Sequence, residues 1–282
     1  MTHTVESTAL RHLYFRTGEG EIHALEWGHG NDGPPILLLH GVTGGAWLWH
    51  DVAQELARNR RVIALDLRGH GLSTRSASRQ YRSADHLLDL AAVIECLPQP
   101  VDLAGASWGA LIAMQYSHAN PDSVRRLAII DVEPSFEQDE NAVHTRPQAF
   151  EHIEDVIAWE RQANPAAPDA LLALWARQSV RHGQNGDWQR QHDDYFFKTW
   201  PFRNDDLWSL LPELNLPTLL IHGKRSFVRE KVMRDMAAAL PNARLECIED
   251  CGHVVPLEAP HQLASVLKPF FTYAHVPEGS TA

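Results

Sequence analysis

Val101-Asp102-Leu103-Ala104-Gly105-Ala106-Ser107-Trp108-Gly109-Ala110 opens as a short apolar strand and passes through Gly-x-Ser-x-Gly. It continues into Leu111-Ile112-Ala113-Met114-Gln115-Tyr116, which has good helix formers and an apolar face. Strand, sharp turn and helix is the context that gives Gly-x-Ser-x-Gly chemical meaning. So tight a turn forces the serine into a strained backbone conformation, and Gly105 and Gly109 relieve the crowding on either side of it. The Ser107 hydroxyl then stands clear of the backbone. The same residues also suit a glycine-rich turn in which Ser107 merely caps the helix. The flanking sequence decides between the two.

Outward from this stretch, the chain alternates. Residues 11–17 and 21–27 read as two strands joined by Gly18-Glu19-Gly20, an antiparallel hairpin. Pro35 to His40 and Arg61 to Asp66 are continuous apolar runs, the mark of strands buried on both faces. Trp47 to Arg58 and Ala84 to Leu97 read as helices, and Arg126 to Asp131 as the strand after the serine's helix. Such alternation predicts a mostly parallel sheet wrapped by helices on both sides. Ligands of these sheets gather at the carboxyl ends of the strands, where His40, Asp66, Ser107 and Asp131 all fall.

From Pro134 to Pro212 the rhythm changes. Strand signals are weak, helical patches appear, and five of the nine tryptophans (Trp159, Trp175, Trp188, Trp200 and Trp208) cluster here. The segment is too long for a simple loop. It reads as a helical cap, residues 134–212, inserted after the sixth strand into a core formed by residues 1–133 and 213–282. The alternation resumes with strand 218–222, helix 229–240, strand 244–248 and a last helix after Leu257.

A formal net charge of −11 over 282 residues, with no basic cluster, argues against a nucleic-acid partner. No apolar run approaches the roughly 18 residues of a membrane helix. Met1 to Leu13 lacks an apolar signal core. Three cysteines in no metal-ligand pattern read as reduced thiols, so the expected compartment is the cytoplasm. No metal-binding spacing is present, and the chemistry considered below needs no cofactor.

A serine hydroxyl needs a base to take its proton, and histidine is the usual one. Of 17 histidines, His253 lies in Asp250-Cys251-Gly252-His253-Val254-Val255-Pro256-Leu257-Glu258, directly after the last strand, which delivers it to the edge where Ser107 sits. His40 shares that edge, but the glycine after it suggests a role in the loop. His70 reads as part of a turn, and His222 as structural. A tetrahedral intermediate needs two N–H donors. Trp108 supplies one, immediately after the nucleophile. Val42, in His40-Gly41-Val42-Thr43-Gly44-Gly45, is placed for the other. His40, Gly41 and Trp47 are expected to border the substrate.

These features together resemble the α/β-hydrolase superfamily. In that family's order come His40-Gly41, then Asp66-Leu67-Arg68-Gly69-His70-Gly71-Leu72-Ser73, the elbow at 105–109, and Gly252-His253 with Pro256 and Glu258. The resemblance spans Tyr14 to Phe271. It implies an eight-stranded, mostly parallel sheet flanked by helices, with Ser107 as nucleophile and His253 as base. The third member departs from the family pattern. Most relatives carry an aspartate after the penultimate strand, where this chain reads His222-Gly223-Lys224-Arg225-Ser226-Phe227. Other members carry the acid after the strand that follows the nucleophile's helix. Asp131 holds that place, with Glu133 in reserve. The alternative is that Asp131 only caps the next segment or pairs with an arginine.

The fold hosts many activities. A serine at 107 argues against the alkyl-enzyme chemistry of haloalkane dehalogenases and epoxide hydrolases. Gly-x-Ser-Trp-Gly also resembles proline iminopeptidases, but their His-Gly-Gly-Pro-Gly loop is absent. The expected activity is hydrolysis of a small carboxylic ester or lactone through an acyl-serine. Trp47, Trp49, Trp108 and the insertion's tryptophans would wall an apolar pocket, although core packing accounts for most of the latter. Carbon–carbon bond hydrolysis, perhydrolysis or aminopeptidase activity on the same fold remain alternatives. So does a ligand-sensing binding protein.

Overall fold

The computed structural model describes residues 10–135 and 146–272. The first strands form the expected hairpin, β1 (Arg11–Thr17) and β2 (Gly20–Trp27). Then come β3 (Ile36–Leu39), a 3-10 turn at Ala46–Trp49, α1 (His50–Leu56), β4 (Val62–Leu65) and α2 (Ser83–Glu95). The predicted helix 47–58 is thus shorter, with its first turn wound as 3-10 helix. The central stretch is β5 (Val101–Ala106) and α3 (Trp108–Ala119), followed by β6 (Val124–Ile130).

Beyond β6 the structure is less helical than expected. It holds β7 (Ala149–Phe150), α4 (Ile153–Ala163), α5 (Asp169–Gln178), β8 (Val180–His182) and β9 (Trp188–Arg190). The three strands pair antiparallel in the order β7-β9-β8. Strands of two or three residues are too short to show a period of two, so the sequence concealed this second sheet. The chain rejoins the main sheet through β10 (Thr218–Gly223), α6 (Glu230–Ala239), β11 (Ala243–Ile248), α7 (Val255–Glu258) and α8 (Pro260–Thr272).

The main sheet has eight strands in the order β1-β2-β4-β3-β5-β6-β10-β11. Only β1/β2 and β2/β4 pair antiparallel. The apolar runs now have a cause: alternate residues of each strand face opposite cores. Leu37, Leu39, Leu103 and Leu127 pack with α2, α3 and α6 on one face. Ile36, Leu38, Ala104 and Ala128 pack with α1 and α8 on the other. Both faces are covered, so apolar side chains fill both register positions in the middle of these strands.

At the β5–α3 junction the backbones come too close for side chains. A Cβ on Gly105 would lie 2.3 Å from the carbonyl oxygen of Gly109, and one on Gly109 would lie 2.5 Å from that of Leu39. Ser107 takes φ 52° and ψ −126°, a conformation that costs an L-residue on the order of 1 kcal/mol or more. The neighbouring strands hold it there through Ser107 N–H, which donates to Ile130 O at 2.9 Å. Gly109→Ala is expected to destabilise the fold by about 1–3 kcal/mol, which calorimetry should record as a fall of several degrees in the thermal midpoint. An unchanged midpoint would mean that β3 yields freely to the added methyl.

Candidate active site

Strand ends deliver the polar groups. Ser107 caps α3 in position only, because its side chain makes no capping bond. Its Oγ instead lies 3.1 Å from His253 Nε2. Across the ring, His253 Nδ1–H donates to Asp131 Oδ2 at 2.7 Å. Asp131 follows β6 directly, at φ 50°, and its own N–H is fixed to Ile221 O at 2.8 Å. The three residues predicted from strand ends are brought together in one hydrogen-bonded row.

Asp131 is fully buried and accepts three further bonds. His222 Nδ1–H and the Gly223 N–H donate to Oδ1 at 2.9 and 3.0 Å. Ser226 Oγ–H donates to Oδ2 at 2.5 Å. Burial alone would favour the neutral acid, but bonds from His222, His253 and Ser226 outweigh it and hold the carboxyl below its usual range. The serine in place of the usual acid therefore supports the acid that replaces it. His222, read as structural, proves to orient the same carboxylate. Glu133, the reserve, is turned away: its carboxylate is engaged by the Arg229 guanidinium, with Nε–Oε1 at 3.0 Å, and by the Arg229 N–H at 2.9 Å. Phe227, to which the sequence attached no role, lies with its ring centroid 4.3 Å from that of His253 and is 69% exposed. A lone aromatic in a loop carries no sequence signal of that contact.

The loop after β3 runs beside the serine. Gly41 passes so close that a Cβ there would lie 2.9 Å from Ser107 Cβ. The N–H groups of Val42 and Trp108 donate to no partner among the described residues. His40 does not border an open site, contrary to expectation. It is 1% exposed, its Nδ1–H donates to Gly41 O at 2.7 Å, and its Nε2 accepts from the Leu67 N–H at 2.9 Å. It ties the β3 and β4 loops together. His70 does the same one residue further along: Nε2 accepts from the Thr43 N–H at 3.1 Å, while Nδ1–H donates to Arg68 O. Asp66 anchors the loop's far end through the Ala46 N–H, at 2.7 Å.

Two of the tryptophans expected at a pocket wall are turned into the core instead. Trp49 and Trp108 are fully buried. The Trp108 indole packs edge-on against His86, with centroids 4.5 Å apart, and beside Phe196 and Phe202. Trp47 lines a cavity of about 60 Å³ with Thr43, Trp175 and His192, whose lining includes neither Ser107 nor His253. Trp175 packs between α5 and the core beside Leu48 and Leu257.

The buried histidines around Trp108 are held neutral. Burial, then the charge of Arg68, brings His86 down to about 3. Burial also brings His192 to about 3, against a weak bond to the Asp193 carbonyl. His70 falls well below its ordinary value through burial and the neighbouring His40. Unfolded, each would take up a proton near pH 6.5 that the folded chain refuses. Stability should therefore be full above pH 6.5 and fall as the pH drops from there toward 3. Between pH 7 and 5 the loss should be on the order of 1–2 kcal/mol for each of His86 and His192. Urea unfolding at the two pH values would show it, and His86→Phe should flatten the slope. A midpoint indifferent to pH would contradict neutral burial.

Residues 34–260 match the family model described as the alpha/beta hydrolase fold. Similar curated proteins include a monoacylglycerol lipase of Rattus norvegicus, 25% identical over 88% of this chain and 78% of that one. A 2-hydroxymuconate semialdehyde hydrolase of Pseudomonas sp. (strain CF600) is 29% identical over 86% of this chain and 88% of that one. Among solved structures, E-2-(acetamidomethylene)succinate hydrolase superposes with a TM-score of 0.85 at 22% identity, covering 94% of this chain and all of that one. The likeness to that structure is one of fold.

Proposed function

We propose that this chain, which belongs to the alpha/beta hydrolase family, is a serine hydrolase cleaving a carboxylic ester or lactone through an acyl-serine intermediate. The observation that carries this reading is the unbroken row Ser107 Oγ, His253, Asp131. A binding protein on the same fold has no need to bury a carboxylate under four donors merely to orient one imidazole.

In this reading His253 Nε2 takes the Ser107 proton as Oγ attacks the carbonyl carbon. The developing oxyanion turns toward the N–H groups of Val42 and Trp108, donors with no partner among the described residues. His253 then hands its proton to the leaving alcohol, and water, activated by the same imidazole, releases the acyl group. Asp131 fixes the tautomer that presents Nε2 to the serine and stabilises the imidazolium as it forms. The described part of the insertion, residues 146–212, acts as a cap over this edge. The lipase named among the relatives favours ester substrates. The semialdehyde hydrolase among them supports a second reading, hydrolysis of a carbon–carbon bond beside a ketone by the same three groups.

A chain-length series of p-nitrophenyl esters tests the first reading. Wild type should turn over, and Ser107→Ala should lose at least a thousandfold in kcat. Turnover surviving in Ser107→Ala would remove the serine from the chemistry. Hydrolysis of a 1,5-diketone but of no ester would select the second reading. Asp131→Asn should cost roughly 10⁴ in kcat with the fold intact, whereas Glu133→Gln should leave the rate within a few-fold. The opposite ranking would reassign the acid.

A further inference from the structure

Arg146 reaches the loop beside the serine from the segment that follows β6. Its Nη1–H donates to Thr43 Oγ1 at 2.5 Å, and its guanidinium lies 5.6 Å from the centroid of the Trp159 ring. That single hydroxyl is the only acceptor it uses among the described residues, and no carboxylate there lies within ion-pair distance of it. A guanidinium has five N–H donors and does not deprotonate in a protein.

Arg190 approaches the same indole, 4.6 Å from its centroid, and lies 4.9 Å from that of Phe150. Only 7% of Arg190 is exposed, and its buried Nε and Nη2 have no partner among the described residues. Its Nη1 donates to Glu160 Oε1 at 2.6 Å and, more weakly, to Ser179 Oγ at 3.3 Å. Glu160 also accepts from Trp175 Nε1 at 3.1 Å. Glu160, whose charge also acts on Arg146 from beyond ion-pair distance, is thus already engaged by Arg190 and Trp175. In a chain of net charge −11, the described residues give this pair of guanidinium groups a single paired carboxylate. Unused buried donors of this kind are costly unless something completes them.

Its location says what that is. Thr43 follows Val42, one of the two N–H groups assigned to the oxyanion. It is two residues from Gly41, which abuts Ser107, so the span is at most ~7 Å of chain. We infer that Arg146, backed by Arg190, binds a carboxylate carried two or three carbons from the scissile carbonyl, so that the preferred substrates are half-esters of short dicarboxylic acids. A planar fork of N–H donors beside a hydroxyl matches a carboxylate edge-on. The inference rests on the serine-hydrolase reading for its chemistry, but not for its binding site.

Monoethyl fumarate and monoethyl succinate should be hydrolysed with a kcat/KM at least tenfold above that of their diethyl esters. Arg146→Gln should lower that preference by roughly 10- to 100-fold, mainly through KM. Arg146→Lys keeps the charge without the fork and should recover part of it; should Arg146→Gln fail to fold, this variant carries the test with a smaller loss. A wild type indifferent to substrate charge, or a variant that slows half-ester and diester alike, would overturn the inference. If no ester is turned over, the hydrolase reading fails and binding decides the anion site. Monoethyl fumarate, titrated calorimetrically, should then bind Ser107→Ala at least tenfold more tightly than Ser107→Ala/Arg146→Gln. Equal affinities, or no binding to either, would refute the carboxylate site.

Discussion

Three backbones cross within van der Waals distance where β3, β5 and α3 meet, and there is no room for a Cβ at Gly105 or Gly109. This steric limit governs what lies around it. It bends the chain sharply enough to leave Ser107 at φ 52° with its side chain free of the helix. It also lets the β3 loop pass directly beside the serine at Gly41. The strain is local and modest; eight strands with covered faces supply the burial that sustains it.

Asp131 extends the same logic by one strand. A buried carboxylate is expensive unless its lone pairs are filled, and here four donors from three segments fill them. Two come from the end of β10, one from the loop after it and one from the loop after β11. The acid therefore does more than orient His253. It joins the ends of β6, β10 and β11, so moving it would leave His222 and Ser226 without the acceptor they now share. Ser226, on the loop after β10, thus donates to a carboxylate that enters from the adjacent parallel strand β6.

Beneath the loop, polar side chains serve position rather than reaction. His40 and His70 each spend both ring nitrogens on backbone groups, and neutral imidazoles suit that task because each ring needs one donor and one acceptor. Arg146 is the exception. Among the described residues it is attached to the loop by a single bond, which leaves donors unused there.

Much of this was legible in the chain. Runs such as Ile36-Leu37-Leu38-Leu39 and Leu127-Ala128-Ile129-Ile130 determined buried parallel strands, since only a sheet covered on both faces consumes consecutive apolar residues. Gly-x-Ser-x-Gly between strand and helix marked the elbow, and strand ends marked Asp131 and His253, because parallel topology sends every such end to one edge. The sequence could not show where side chains point. The indole of Trp108 sits beside the serine in sequence yet turns into the core; His40 lies at the edge yet is sealed beneath it. The short strands β7, β8 and β9 escaped because two or three residues hold no period. Ser226 and His222 acquired a role only once β10 was set against β6, and Arg146 only once the insertion folded back on Thr43, a contact between residues 103 positions apart. Local patterning determines elements and their ends; the pairing of distant polar groups is decided by packing, which no single segment encodes.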